Sequence, residues 1–141
     1  QLASRARRRV QQSAPRPDAD VAGQRAVVDA FLAAARKGDF EALVAVLDPE
    51  VVLRSQAAPG VTRTVHGAAA VAAGAVTFSR VDVTVSHAAI NGAAGIVSFG
   101  TDGRPWSLMG FEVAHGKIVA ITALSDPARL AQLNLERLRS A

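Results

Sequence analysis

Residues 81–124 read VDVTVSHAAI NGAAGIVSFG TDGRPWSLMG FEVAHGKIVA ITAL. Turn signals at Asn91-Gly92, Thr101-Asp102-Gly103 and His115-Gly116 divide this stretch into four pieces. Asn-Gly is a strong two-residue hairpin signal, because both central positions of the favoured turn need positive φ. Val81, Val83 and Val85 alternate with Asp82, Thr84 and Ser86, the period of a strand with one face toward a core. The spacing predicts strands over 81–89, 94–99, 106–113 and 117–124, joined as an antiparallel meander.

On the N-terminal side, residues 21–37 carry Val27, Val28, Phe31, Leu32 and Ala35 along one helical face, and Gly38 closes the helix. Asp39 is placed to cap a second helix bearing Phe40, Leu43, Val44 and Leu47, which Asp48-Pro49 ends. Strand runs over 51–55 and 61–65 flank Pro59-Gly60, and His66-Gly67 opens an alanine-rich helix over about 68–76. After the meander, Ser125-Asp126-Pro127 starts a last helix with Asp126 as N-cap and Pro127 in the first turn. Leu130, Leu133, Leu135 and Leu138 form its apolar side. The order α-α-β-β-α-β-β-β-β-α predicts an α+β fold with helices covering one face of a curved, mostly antiparallel sheet. Such a sheet can enclose a pocket against the helices.

Charge divides the chain differently. The formal net charge is +4, from 16 basic and 12 acidic residues. Arg5, Arg7, Arg8 and Arg9 account for all of it, so the chain from Val10 onward is formally neutral. The body therefore has no electrostatic reason to bind a polyanion. Residues 1–12 read as a helix end, with Leu2, Ala6 and Val10 at spacing four, and 13–20 (SAPRPDAD) read as a proline-stiffened linker. The domain proper is expected over 21–141. The chain lacks an initiator Met and a secretory signal, which suggests a piece of a longer cytoplasmic protein. No apolar run of about 18 residues predicts a membrane span. With no cysteine there is no disulfide, thiolate metal site or thiol nucleophile.

Residues 28–55 (VDAFLAAARKGDFEALVAVLDPEVVLRS) resemble the opening of SnoaL-like domains of the nuclear-transport-factor-2-like cone fold. Asn91-Gly92-Ala93-Ala94-Gly95, Gly103-Arg104-Pro105-Trp106, Met109-Gly110-Phe111 and Asp126-Pro127-Ala128-Arg129-Leu130 follow in order. This series resembles the C-terminal extension of certain actinobacterial extracytoplasmic-function sigma factors. Residues 1–10 (QLASRARRRV) look like the end of the recognition helix of sigma region 4. Some such factors carry Asp-Gly-Gly-Gly-Lys after the first strand and Asn-Pro-Asp-Lys-Leu before the last helix. This chain has Gln56-Ala57-Ala58-Pro59-Gly60 at the first place. At the second it agrees at Pro127 and Leu130, with Arg129 keeping the positive charge.

The resemblance implies a regulatory domain without chemistry of its own. Its partners would be RNA polymerase core and sigma regions 2 and 4 of the same chain, with promoter DNA reached through region 4. Arg5, Arg7, Arg8 and Arg9 would be the DNA-binding remnant, each neutralising about one phosphate. The interdomain contact is expected at Gln56, Pro59 and Gly60, together with Asp126, Pro127, Arg129 and Leu130. A homodimer through the open sheet face is an alternative use of the fold.

The competing class is a SnoaL-like enzyme or small-molecule binder. The absence of tyrosine removes the ketosteroid-isomerase arrangement of a Tyr and a protonated Asp. An epoxide-hydrolase-like Asp-Arg-Asp relay would use Arg54 facing inward with Asp82 or Asp102. Phe31, Arg54, His66, Trp106 and Met109 are the candidate pocket residues, with Phe40 and Phe111 as further aromatics. Trp106 and Phe111 fall on opposite faces of a regular strand, so one cavity takes at most one of them. Ordinary core packing competes with that role, and surface placement competes with the relay. His66, His87 and His115 have no orienting carboxylate nearby in sequence, and His115 reads as a turn residue. No His, Asp or Glu pair has metal-ligand spacing, and no cofactor is expected.

Overall fold

The computed structural model describes residues 20–90, 92–133 and 135. Helix α1 (Val21–Lys37) is capped by Asp20, whose Oδ1 accepts from the Ala22 amide at 3.1 Å. It ends at Gly38, where φ of 66° lets the backbone N–H turn back to the Ala34 and Ala35 carbonyls. Val28, Phe31, Ala34 and Ala35 are buried, the face that the apolar spacing marks. Asp39 caps helix α2 (Phe40–Val46) through the Ala42 amide.

The second helix stops one residue earlier than the sequence suggests. Leu47 is extended (φ −99°, ψ 138°) and begins strand β1 (Leu47–Ala58). Asp48-Pro49 thus lies inside a strand, in a bulge between the Leu47–Ile118 and Val52–Ala120 pairings. A proline fits there because no ladder donor is needed at a bulge. Strand β2 (Val61–His66) returns over Pro59-Gly60, with Gly60 at φ 71°. Helix α3 (Ala68–Val76) follows, then a 3-10 turn over Thr77–Arg80.

The meander is present as strands β3 (Thr84–Ile90), β4 (Ala93–Phe99), β5 (Pro105–Ala114) and β6 (Lys117–Leu124). Pairing in β3 starts at Thr84, three residues later than the valine alternation predicts. The six strands form one sheet in the order β2-β1-β6-β5-β4-β3. Every neighbouring pair is antiparallel except β1 with β6, which run parallel.

Helices α1 to α3 cover one sheet face. Phe31, Leu43, Val51, Ile96, Met109, Phe111 and Ile121 belong to the larger core between them. The opposite face carries a second, small core of Val97, Phe99, Leu130 and Leu135. Ser86, on the polar side of its alternation, is buried there because the C-terminal segment covers that face. Helix α4 (Pro127–Gln132) begins as expected, with Asp126 Oδ1 accepting from the Ala128 amide. It is shorter than the leucine spacing suggests. Leu133 turns extended and exposed, and the turn brings Leu135 back onto Phe99 and Val97. Leu138 lies outside the described residues.

Candidate functional site

In the cone interior, Phe31 from α1 meets Phe111 from β5 edge-on, with ring centroids 5.5 Å apart. Ile96 and Met109 close over the same space, both buried. The cavity left between helices and sheet measures about 40 Å³. Small-molecule sites run from about 300 to 1,000 Å³, so this space is far below that size.

Phe31 and Met109 face that interior, but the other candidate pocket residues do not join them. Leu53 packs into the helix-side core, so Arg54, one position on, projects from the opposite face. Asp82 is exposed, and Asp102 Oδ1 accepts from the Arg104 amide inside its own turn. The Asp-Arg-Asp relay is therefore not assembled. His66 is exposed at the end of β2, with Nε2 3.7 Å from Glu50 Oε2. Phe40 is exposed on α2.

Trp106 departs from regular alternation. Phe99 pairs with Pro105 and Ser98 with Ser107, so Trp106 is the extra residue of a bulge. Its ring meets Phe78 of the 3-10 turn edge-on at 5.7 Å, on the helix side, while remaining 40% exposed. The expectation that Trp106 and Phe111 occupy opposite faces held only for a regular strand.

The two halves of the expected contact surface are joined to each other. Arg129 Nη1 donates to Gln56 Oε1 at 2.5 Å, and the Ser125 amide donates to the Gln56 carbonyl at 2.9 Å. Gln56 opposite Leu124 is the last β1–β6 pairing, so Pro59 and Gly60 project beyond the end of β6. Pro127 and Arg129 are exposed on the adjoining helix, whereas Leu130 turns inward onto the small core. Asp126 is 2% exposed; its Oδ1 caps the helix, and its Oδ2 is buried with no hydrogen-bond partner among the described residues. Arg5, Arg7, Arg8 and Arg9 lie outside the described residues.

Sequence reasoning missed three pairings. His87 Nε2 lies 2.7 Å from Asp29 Oδ1, linking β3 to α1. Glu50 stands beside His66, and Phe78 beneath Trp106. Each joins residues from different elements, and no local pattern announces such a contact. Among the described residues, no group of three or more His, Asp or Glu could hold a metal ion. No described helix is long and apolar enough to cross a membrane.

Three helices against a curved six-stranded sheet, antiparallel except where β1 pairs with β6, define a SnoaL-like, nuclear-transport-factor-2-like α+β fold. Residues 28–121 match the SnoaL-like domain model, and the chain belongs to that family. Comparison with curated proteins gave no match. Among solved structures, the chain is similar to the extracytoplasmic function sigma factor SigJ of Mycobacterium tuberculosis, at 24% identity and a TM-score of 0.65. That likeness covers 95% of this chain and 50% of the sigma factor, so the chain spans half the length of that structure. An LEH-like epoxide hydrolase of M. tuberculosis is similar at 18% identity and TM-score 0.52, covering 79% of this chain and 89% of the hydrolase. An NTF2-like protein of Burkholderia xenovorans LB400 is similar at 19% identity and TM-score 0.54, covering 82% and 98%. The fold thus serves catalytic and other proteins alike.

Proposed function

We propose that this chain is the regulatory C-terminal domain of an alternative, extracytoplasmic-function sigma factor and works by contact rather than by catalysis. Residues 1–12 would be the end of region 4, residues 13–20 the linker that sets the reach, and residues 21–141 the regulatory domain. The observation that carries the reading is the likeness to SigJ over 95% of the chain, against 79% for the hydrolase, together with an interior filled by Phe31, Met109 and Phe111.

In this reading the domain touches RNA polymerase core or sigma regions 2 and 4 of its own chain. Promoter DNA is reached through region 4 with the help of Arg5, Arg7, Arg8 and Arg9. The site of action is then the cytoplasm. The contact surface is the hairpin tip at Pro59-Gly60 with the Asp126–Leu130 corner, which the Arg129–Gln56 bond ties into one edge. Shifting a closed arrangement to a mostly open one takes on the order of 5 kcal/mol of differential contact.

The test is transcription in vitro with polymerase and the full-length parent, against a version stopped before Val21. A changed initiation rate supports the domain as regulator, and its sign distinguishes activator from brake. An unchanged rate overturns the proposal and favours the SnoaL-like enzyme or binder.

A further inference from the structure

The sheet face turned away from α1, α2 and α3 carries a feature that the regulatory reading does not use. Register places Thr64, Arg54, Thr122, Gly110, Gly95 and Ala88 side by side on successive strands. Gly110 and Gly95 contribute no side chains, so the row dips in its middle. A Cβ at Gly110 would meet Ile90 atoms no closer than 3.6 Å, whereas one at Gly95 would lie 2.3 Å from Ile90 Cδ1. Ile90 therefore folds tightly over Gly95 and stands in ordinary van der Waals contact range of Gly110, forming one wall of the trough. Leu133 and Arg129, from the C-terminal segment, rise along another wall. The trough is open to solvent and measures about 540 Å³, within the range of small-molecule sites.

Its two ends differ chemically. At one end Arg54, Arg129 and the Thr62 hydroxyl line the trough; toward β4 it is lined by Ile90, Ala93 and Leu108, with Glu112 two positions along β5 from Gly110 on the same face. Among the described residues neither guanidinium is paired with a carboxylate. Arg129 spends one N–H on the neutral Gln56, and each guanidinium has five donors. From β1 to β4 there are three inter-strand steps of about 4.8 Å, giving a path of roughly 14 Å from the charged end that crosses Thr122 and Gly110 and ends under Ile90. Glu112 also lines the trough and opposes an anion there.

We propose that this trough binds a small amphiphilic anion: a carboxylate held by Arg54 and Arg129, on a medium-length apolar chain lying across Thr122, Gly110 and Ile90. Charge complementarity selects the head, and the half-buried Ile90 and Leu108 select the tail. A second copy of the sheet fits less well, because sheets pack through flat interdigitating faces about 10 Å apart and α4 stands above this one. The site lies on the opposite side of the sheet from the filled cone, and it stands or falls independently of transcription.

The test is a titration of the full 141-residue chain with decanoate, 1-decanol and inorganic phosphate, followed by amide NMR shifts and by light scattering. Decanoate is expected to give saturable shifts at Thr122, Gly110 and Ala93. Arg54→Ala should weaken it about tenfold, the loss of one charge-assisted contact, and Glu112→Gln should tighten it. Both positions are exposed, so the variants fold. Gly110→Ala adds a methyl to the floor without changing charge and should also weaken binding. No saturable shift overturns the site. Equal affinity for decanol overturns the role of the arginines, and equal affinity for phosphate overturns the apolar half. Shifts centred on Phe31 and Met109 would place the ligand in the cone instead. A doubled mass without decanoate would show a second copy as the occupant; either result overturns the proposal.

Discussion

Arg129 and Gln56 stand 73 positions apart in the chain, yet the guanidinium of one donates directly to the side-chain oxygen of the other at 2.5 Å. The bond fastens the last helix to the end of the first strand, beside the hairpin tip that the sequence separately marks. The pair is exposed, so its net contribution to stability is about 1 kcal/mol or less. Its effect is local. Arg129→Ala should leave the melting temperature within a few degrees while speeding amide exchange in residues 57–61. Unchanged exchange there would mean that the Ser125–Gln56 backbone bond suffices to hold the edge.

Two glycines on neighbouring strands should answer differently to the same substitution. Gly95→Ala would put a methyl 2.8 Å from the Met109 carbonyl oxygen as well as against Ile90. Backbone cannot retreat as a side chain can, so a loss of about 1–3 kcal/mol is expected from urea denaturation. Adding Ile90→Ala should restore only part of it. Gly110→Ala, with ordinary contact distances, should be close to neutral.

Asp39 and Asp126 both cap helices, but one is exposed and the other is 2% exposed with its second oxygen unpartnered. Asp39→Ala should cost about 1 kcal/mol, the usual value of an N-cap. At Asp126 the same lost cap is offset by release of a buried carboxylate oxygen that nothing satisfies. Asp126→Ala is therefore expected to cost less than Asp39→Ala in matched thermal melts. A larger cost would show that the buried oxygen does find a donor in solution.

Aromatic truncation separates core from rim. Phe111 is fully buried against Phe31, and Phe111→Ala should cost about 3–5 kcal/mol. Trp106 is 40% exposed and meets Phe78 edge-on at its rim, so Trp106→Ala should cost less, about 1–2 kcal/mol. Equal losses would mean that the bulge, rather than the ring, holds this corner.

The fold was largely legible because its signals are local. Asp39, Gly38, Pro59-Gly60 and Asp126-Pro127 each announce an end or a turn through their own backbone chemistry. Where the reading slipped, a distant contact had decided the outcome. Leu47 leaves its helix for a place opposite Ile118, and α4 is cut short so that Leu135 can reach Phe99. The site was less legible for a related reason. Arg54 can be read inward or outward until Leu53 is seen to take the core position, and the partners of His66 and His87 come from other elements.

The parallel seam between β1 and β6 has a temporal consequence. The second strand of that pair, Lys117–Leu124, is made after every other strand of the sheet. Until it has left the ribosome, the β1–β2 hairpin has no neighbour on its inner edge and the two halves of the sheet stay apart. Pairings between distant segments form slowly, since the loop must close before contacts reward it. A nascent chain of this kind can pair its β1–β2 hairpin and its β3–β5 meander early, but joins the two into one sheet only once β6 is made.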